Sequence, residues 1–463
     1  MKEVVNIVND IVWSPALVVL LVGAGLYFSV RTRFVQVRRI GLMIRLLFAP
    51  GKSEGVRSFS PFQAFCLALS GRVGTGNIVG VATAIAMGGP GAVFWMWVTA
   101  FLGASTAYTE STLAQMYKFT YRNGYRGGPF SYIEKGLRLP WLGMAFAITT
   151  IVGYGMLLML VQANGVSSAF FNSFSISPWL SGGALAIVLG MVVLGGAQRI
   201  AHVATAVTPF MAIVYILLAL VVIGSNAERI PYAFELIFSN AFGINPLAGG
   251  ILGSTIAFGV KRGLFSNEAG EGGGAIVSGS ANNDSPVQQG LVQAFSVYID
   301  TLLVCTATAL MIICTGCFNI FDASTGEMIY CGVAELGNNY VAYTQSAIDT
   351  VFQGYGNIFV TIALLFFAFT TIMAYYFYAE SSIIYMFSRA NNPKHRRATI
   401  VRRAYQCLSL MLVVFGAVIT SDTVWTLGDI GVGLTTWINM VALIVLFPQA
   451  LHALQEYENA REK

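Results

Sequence analysis

Eleven long apolar runs dominate the chain, at about residues 11–30, 61–87, 91–117, 141–171, 179–197, 205–224, 248–280, 286–318, 352–388, 398–420 and 423–454. Their lengths match the ~20 apolar residues that one helical crossing of a bilayer needs. A spanning backbone must satisfy its own N–H and C=O groups, which a helix does within each run. The chain therefore reads as an all-α polytopic membrane protein with eleven transmembrane helices. Composition agrees: 56% of the 463 residues are hydrophobic and 10% are charged, against about 25% charged in a soluble domain. So few polar groups cannot cover a water-facing surface. That excludes a secreted disulfide scaffold, a disordered chain and a conventional cytosolic enzyme. Residues Tyr232–Phe242 are amphipathic and too short to span, and are expected on the membrane surface.

The formal net charge of +5 does not point to nucleic acid, because the basic residues sit in short clusters between apolar runs. With the N-terminus outside and the loops alternating, the inner side collects Arg31, Arg33, Arg38, Arg39, Arg45, Lys52 and Arg57. It then takes Lys118, Arg122, Arg126, Lys135 and Arg138, followed by Arg199, Lys261 and Arg262. Arg389, Lys394, Arg396, Arg397, Arg402, Arg403, Arg461 and Lys463 complete the set. Only Lys2 and Arg229 fall outside, and Arg72 lies within a span. The outer segment 319–351 holds Asp322, Glu327, Glu335 and Asp349 with no Lys or Arg. Lys and Arg concentrate on cytoplasmic loops, so the expected topology has the N-terminus outside and the C-terminus in the cytoplasm. The N-terminus lacks the basic region of a cleaved signal peptide.

The six cysteines form no CxxC and no Cys/His cluster, which argues against a metal site of that kind. Cys66, Cys305 and Cys407 lie in apolar stretches as small core residues, while Cys317 and Cys331 flank an outer loop, where a disulfide is one option. His202, His395 and His452 fall near the inner surface and are given no role.

Two runs are interrupted. The second contains Ser70-Gly71-Arg72-Val73-Gly74-Thr75-Gly76-Asn77. The seventh contains Ala257-Phe258-Gly259-Val260-Lys261-Arg262-Gly263, then the glycine-rich Asn267–Gly274. Glycine costs about 1 kcal/mol in a helix interior, so both helices are expected to break. The interrupted runs lie five helices apart and, with the first helix set aside, open two sets of five. Five is odd, so the second set runs through the membrane inverted. The expected parts are an extra N-terminal helix and basic inner loop (1–60), a first repeat (61–224), an outer connector (225–247), a second inverted repeat (248–455) and a cytoplasmic tail (456–463). Glycine-interrupted helices at matching places in inverted halves point to a transporter site at the bilayer midplane.

Unwound carbonyls suit a small cation, and half-helix N-termini suit a carboxylate. Gly74, Thr75, Gly76 and Asn77 are candidates for such a site, with close packing of small residues as the alternative. Thr370 and Thr371 either bond to their own helix turn or complete an oxygen shell around a hard cation. Gln162 makes an interhelical hydrogen bond or faces a substrate; Phe258 and Tyr375 wall a pocket or belong to the core. Arg72 has Glu268, Glu271, Asp300, Glu110 and Glu380 as candidate partners, in a static pair or a gate.

The strings Gly74–Ile85, Gly88–Trp97 and Phe265-Ser266-Asn267-Glu268-Ala269-Gly270 resemble the alanine or glycine:cation symporter family, and the likeness covers nearly the whole chain. The resemblance implies an amino-acid importer coupled to Na⁺ or H⁺, with the LeuT-type inverted-repeat fold. It places cation-binding carbonyls at Ser70 and Val73, the paired hydroxyls at Thr370 and Thr371, and a further carbonyl at Phe367. It gives the substrate Gly74, Thr75, Gly76 and Asn77, with Thr255, Phe258 and Gly259 facing them and Gln162 at the side. The family pattern resembles Trp after Gly where this chain has Ala374-Tyr375; the smaller ring suits a side chain larger than methyl, and some members resemble glutamine carriers. The expected activity is import of a small neutral amino acid, alanine or glycine first, with Na⁺ as coupling ion and H⁺ as the alternative. A glutamine carrier and an uncoupled channel or uniporter are the rivals. No enzyme activity, cofactor or nucleic-acid partner is expected; the setting is the plasma (inner) membrane.

Overall fold

The computed structural model describes residues 2–49, 58–121, 124–244, 252–388 and 395–462. Helices α1 (Lys2–Val12) and α2 (Pro15–Arg31) come first. The first interrupted run follows as α3 (Pro61–Arg72) and α4 (Val79–Gly88), then α5 (Ala92–Met116). Next are α6 (Pro140–Val152), α7 (Met159–Phe174), α8 (Pro178–Val193), α9 (Ala197–Ser225) and α10 (Ile230–Ala241). The second interrupted run is α11 (Leu252–Asn267) and α12 (Gly273–Ser278). The chain continues through α13 (Pro286–Val297), α14 (Thr306–Thr315), α15 (Gly356–Ser388), α16 (His395–Val418) and α17 (Ser421–Glu462). Two antiparallel hairpins, Phe119–Tyr121 with Gly124–Arg126 and Asn319–Phe321 with Met328–Cys331, lie outside the helices. The amphipathic segment at Tyr232–Phe242 is the helix α10.

Among the described residues, seven helical stretches are long and apolar enough to cross a membrane. Their outer faces stay apolar: Phe210 is 67% exposed, Met411 61% and Leu217 58%. Soluble monomers rarely expose contiguous apolar patches of that kind. The protein is a helical, multi-pass membrane protein. The long α17 runs from Asp422 at one face of the molecule to Glu458 at the other.

Local chemistry explains the first break. Ser60 and Gln63 form a reciprocal cap, with Ser60 Oγ accepting from Gln63 N at 3.1 Å and Gln63 Oε1 from Ser60 N at 3.0 Å; Pro61 takes the first helical position. Twelve residues on, the helix stops. Val73 turns extended, Gly74 N donates to Asn77 Oδ1 at 2.8 Å, and regular helix resumes at Val79.

The second break lies in the later, glycine-rich part of the run that the sequence singled out. Ala257–Gly263 are continuous helix, and the chain unwinds only after Asn267, where Glu268 has φ +53°, Gly270 +94° and Gly272 +96°. Gly259 and Gly263 serve close packing instead. A Cβ on Gly259 would stand 2.6 Å from the Ala92 carbonyl, and one on Gly263 3.2 Å from Met96 Cα.

A second correction concerns charge. Lys261 and Arg262 were assigned to an inner loop, but both lie within α11 and pair with Asp429 of α17, each at 2.7 Å. Lys261 also sits 5.2 Å from the Trp13 ring, near the Asp422 face. Arg38 and Arg39 meet Glu458 at 2.8 Å on the opposite face. Lys52, Arg57, Arg122, Arg389, Lys394 and Lys463 lie outside the described residues. Cys317 and Cys331 are both free thiols, so the disulfide option falls.

Candidate binding site between two broken helices

The first break faces α15. Thr371 Oγ1 lies 2.7 Å from the Ser70 carbonyl, 3.2 Å from that of Val73 and 2.9 Å from that of Phe367. Thr370 donates to the same Phe367 carbonyl at 2.9 Å. One hydroxyl carries one proton, so Thr371 cannot satisfy three carbonyls. All five residues are at most 1% exposed. The Ser70 carbonyl is free of its helical donor because Gly74 N has turned to Asn77. Five neutral oxygens on five residues therefore converge in a dry place, a donor set that fits a small hard cation.

The rest of the break is held from the side. Gln162 Oε1 of α7 accepts from Thr75 N at 3.0 Å. Thr75 Oγ1 is buried and has no hydrogen-bond partner. Gly165 packs against the Thr75 side chain, and a Cβ on Gly76 would stand 3.1 Å from the Phe265 ring. Gly74, Thr75, Gly76, Asn77 and Gln162 are thus brought together beside the oxygen cluster.

Thr255, Phe258 and Gly259 are not. With the break at Glu268–Gly272, they fall three turns up α11. There Thr255 Oγ1 donates to Gly88 O at 2.6 Å, and Gly88 also meets Phe258. The residues of α11 that do face the first break are Phe265 and Ser266. Tyr375 lies one turn beyond Thr371, its ring 5.2 Å from Tyr154 and 5.9 Å from Tyr378, beneath the break rather than over it.

Asp300 ties the first break to the last turn of α11. Its Oδ1 accepts from Asn77 Nδ2 at 2.6 Å; its Oδ2 accepts from Ser266 Oγ at 2.8 Å and Thr301 Oγ1 at 2.7 Å. It sits in a π-helical stretch, Tyr298–Cys305, a distortion common at functional sites. The sequence offered Asp300 only as a partner for Arg72. The signal for more was present: a carboxylate within an apolar run.

Arg72 makes no ion pair among the described residues. Its Nη1 donates to the Gln293 carbonyl at 3.2 Å and to Ser296 Oγ. Toward the Asp422 face, a cavity of about 400 Å³ descends to Val79, with Thr83, Asn164 and Trp425 in its wall. The Trp425 and Phe265 rings meet tilted at 5.1 Å, and Arg262 lies 5.0 Å from the Trp425 ring. Phe265 and Trp425 stand between that cavity and the break.

Comparison with known proteins gives the family. The family model described as "Sodium:alanine symporter family" matches residues 1–463. The chain is 44% identical over 418 residues to the sodium/proton-dependent alanine carrier protein of Bacillus sp. (strain PS3), covering 90% of this chain and 91% of that one. It is 38% identical over 462 residues to the probable sodium/glutamine symporter GlnT of Bacillus subtilis, covering 100% and 92%. In fold it is similar to the crystal structure of MhsT in complex with L-phenylalanine, with TM-score 0.58, 13% identity, and coverage of 86% of this chain and 98% of that one. A match along the whole sequence places it among carriers rather than enzymes: the chain belongs to the sodium:alanine symporter family.

Proposed function

We propose that this carrier imports a small neutral amino acid, alanine or glycine first, together with Na⁺. The observation that carries the proposal is the Thr371 hydroxyl facing the carbonyls of Ser70, Val73 and Phe367. Thr370 completes the shell. Na⁺ bound there joins the first broken helix to α15. The substrate zwitterion lies alongside, at Gly74, Thr75, Gly76 and Asn77. The unmet Thr75 hydroxyl and the Gln162 amide are within its reach, and Phe265 and Ser266 come from the last turn of α11.

Ion and substrate share one unwound backbone, so each raises the other's affinity by the same factor; about 1–3 kcal/mol is typical for such coupling. In this reading the chain crosses the membrane eleven times. Residues 61–224 and 248–455 form inverted halves, the N-terminus is outside and the C-terminus is cytoplasmic. The Asp422 face is then the outer one. The Lys261/Arg262–Asp429 cluster and the Phe265–Trp425 pair close the route from outside. Alternating access follows when one half rocks against the other.

A glutamine substrate is the second reading, favoured by the 38% identity to a chain named as a sodium/glutamine symporter. Uptake of labelled alanine, glycine and glutamine into proteoliposomes, with and without an inward Na⁺ gradient, tests both. Accumulation of alanine or glycine above equilibrium, only with the gradient, is expected. Uptake that never exceeds equilibrium would mean a uniporter, and the proposal would fail.

A further inference from the structure

Beneath the first break, toward the Glu458 face, four charged side chains share one dry compartment. They are Arg72 on α3, Glu110 on α5, and Glu268 and Glu271 in the segment between α11 and α12, each at most 1% exposed. Their hydrogen bonds are too few. Glu268 Oε2 accepts from Tyr378 OH at 3.2 Å, Glu271 Oε2 from Tyr154 OH at 2.9 Å, and Glu110 Oε2 from Asn439 Nδ2 at 3.1 Å. The other oxygen of each carboxyl has no partner. An ionised carboxylate only accepts, so three half-met carboxylates in a water-free place are costly.

Arg72 makes no hydrogen bond to any of the three. Its Nη1 is engaged by Gln293 and Ser296 on α13, while Nε and Nη2 have no hydrogen-bond partner. Nη2 lies 2.6 Å from where a Cβ on Gly274 would sit. One residue earlier, a Cβ on Gly273 would meet Glu268 Oε2 at 2.6 Å and Tyr154 OH at 2.9 Å. The Tyr154 and Tyr378 rings meet edge-on at 5.0 Å, with Tyr375 beside Tyr154. Glu268 and the Tyr154–Glu271 pair thus converge on the glycines that open α12. Tyr132, hydrogen-bonded to Asn439, stands behind Glu110, and Asp300 is already met by three donors.

One guanidinium cannot balance three carboxylates. Like carboxyls sharing a dry site do not all ionise, and a protonated one gains an O–H to offer its neighbour's unmet oxygen. The segment that carries the pair is also where α11 unwinds, so a movement of the α12 half relative to α11 would bring water to it.

We propose that the Glu268–Glu271 pair is a proton-binding site, with the proton carried on Glu271 while the Glu458-face half of the carrier is closed and released to the cytoplasm when that half opens. The proposal rests on the symporter reading and its orientation. Its consequence is direct: cytoplasmic protons oppose opening, because opening wets the carboxyls and favours their charged form.

The test is alanine exchange in proteoliposomes at equal Na⁺ on both sides, with internal pH stepped from about 6 to about 9 at fixed external pH. Exchange is expected to rise with internal pH along a single-group limb, approaching about tenfold per unit. In Glu271→Gln, whose amide imitates the protonated acid, the limb disappears and exchange is slow at every internal pH. In Tyr154→Phe the Glu271 carboxylate loses its donor, so the midpoint moves upward by about one to two pH units. A flat profile in the unsubstituted carrier overturns the proposal, as does a limb that neither variant alters. Should Glu271→Gln fail to reach the membrane, the midpoint in Tyr154→Phe decides. Na⁺-driven accumulation of alanine in the same vesicles separates the two readings. Accumulation with a flat profile removes the proton site alone; absence of accumulation removes the symporter reading.

Discussion

Gly74 and Thr371 leave no room for a side-chain atom between them: a Cβ on Gly74 would stand 2.6 Å from Thr371 Oγ1 and 2.8 Å from Gln162 Oε1. Thr371 has one side-chain torsion, and turning it clear carries the hydroxyl away from the carbonyls it faces. Gly74→Ala should push the hydroxyl off the Ser70 and Val73 carbonyls. Overpacking of this kind costs about 1–3 kcal/mol. Na⁺-stimulated uptake is expected to fall about tenfold or more while membrane abundance stays within about twofold. Uptake at the level of the unsubstituted carrier would show that the contact relaxes without consequence.

The two threonines should not be equivalent. Thr371 reaches three carbonyls from two helices, whereas Thr370 reaches only the Phe367 carbonyl of its own helix. Removing a ligand to a charged species costs about 1.5–3 kcal/mol. Thr371→Ala should therefore raise the Na⁺ concentration for half-maximal uptake by about tenfold or more, and Thr370→Ala by less. Thr371→Ser, which keeps the oxygen, should recover most of the loss. Identical Na⁺ titrations for Thr371→Ala and the unsubstituted carrier would remove Thr371 from the ion site.

Asp300 accepts from Asn77 in the first break and from Ser266 in the last turn of α11, just before the second. Asparagine in its place offers one acceptor oxygen and adds a donor, so at least one of the three donors is left unmet. A buried, unmet polar group costs about 1–3 kcal/mol. Asp300→Asn should lower the Tm of the purified carrier by a few degrees and weaken substrate affinity more than it weakens Na⁺ affinity. An unchanged Tm together with unchanged substrate affinity would mean that this link is not used.

These residues differ in how visible they were in the sequence. The first break was legible because Gly74, Gly76 and Asn77 interrupt an apolar run with groups that serve a helix poorly. The second was legible in part: the chain unwinds within the glycine-rich Asn267–Gly274, but not at Ala257–Gly263. Gly259 and Gly263 look like breakers, yet they are contact surfaces for α5, and nothing local distinguishes the two uses. The unwinding comes later, at Glu268, Gly270 and Gly272, all with positive φ. Thr255, Phe258 and Gly259 were lost with that register. Lys261 and Arg262 were misassigned because their counter-charge, Asp429, is remote in sequence and a buried pair resembles a loop cluster when only half is seen. Thr371 meeting Ser70 and Val73 came from family likeness; no periodicity links α15 to α3.

Outside the spans, the Glu458 carboxyl gives a pH signature. Partial burial pushes it up, but the hydrogen bonds and charges of Arg38 and Arg39 outweigh burial and hold it below the ordinary glutamate range. A lowered folded value means that stability is present above the unfolded value of about 4.3 and lost as pH falls through the folded one. The arginines are about a third exposed, at 37% and 32%, so screening keeps the contribution under about 1 kcal/mol. Glu458→Gln should lower Tm by about a degree or two at neutral pH, and the difference should shrink as pH falls from the unfolded value of about 4.3 through the lower folded one. A difference of the same size throughout would assign the effect to packing.

Asp429 should control the outer route. It is the shared partner of Lys261 and Arg262, all three largely buried, and Arg262 also covers the Trp425 ring that meets Phe265. Removing the one anion leaves two buried cations unpaired, a loss of about 3–5 kcal/mol for each such pair in the closed arrangement. Water restores much of that loss, so Asp429→Asn should favour the state in which the cavity above Val79 is hydrated. The readout is a cysteine at Thr83, in the cavity wall, with the exposed Cys331 and Cys407 changed to serine. Its labelling by a membrane-impermeant thiol reagent should speed up about tenfold or more in Asp429→Asn and slow again when Arg262→Met removes one of the stranded charges. Transport should follow in the opposite sense, with uptake falling as labelling rises, because a carrier held open on the outer side does not complete its cycle. Labelling that is equally fast with and without Asp429 would mean that the Lys261/Arg262–Asp429 cluster is a fixed strut rather than a gate.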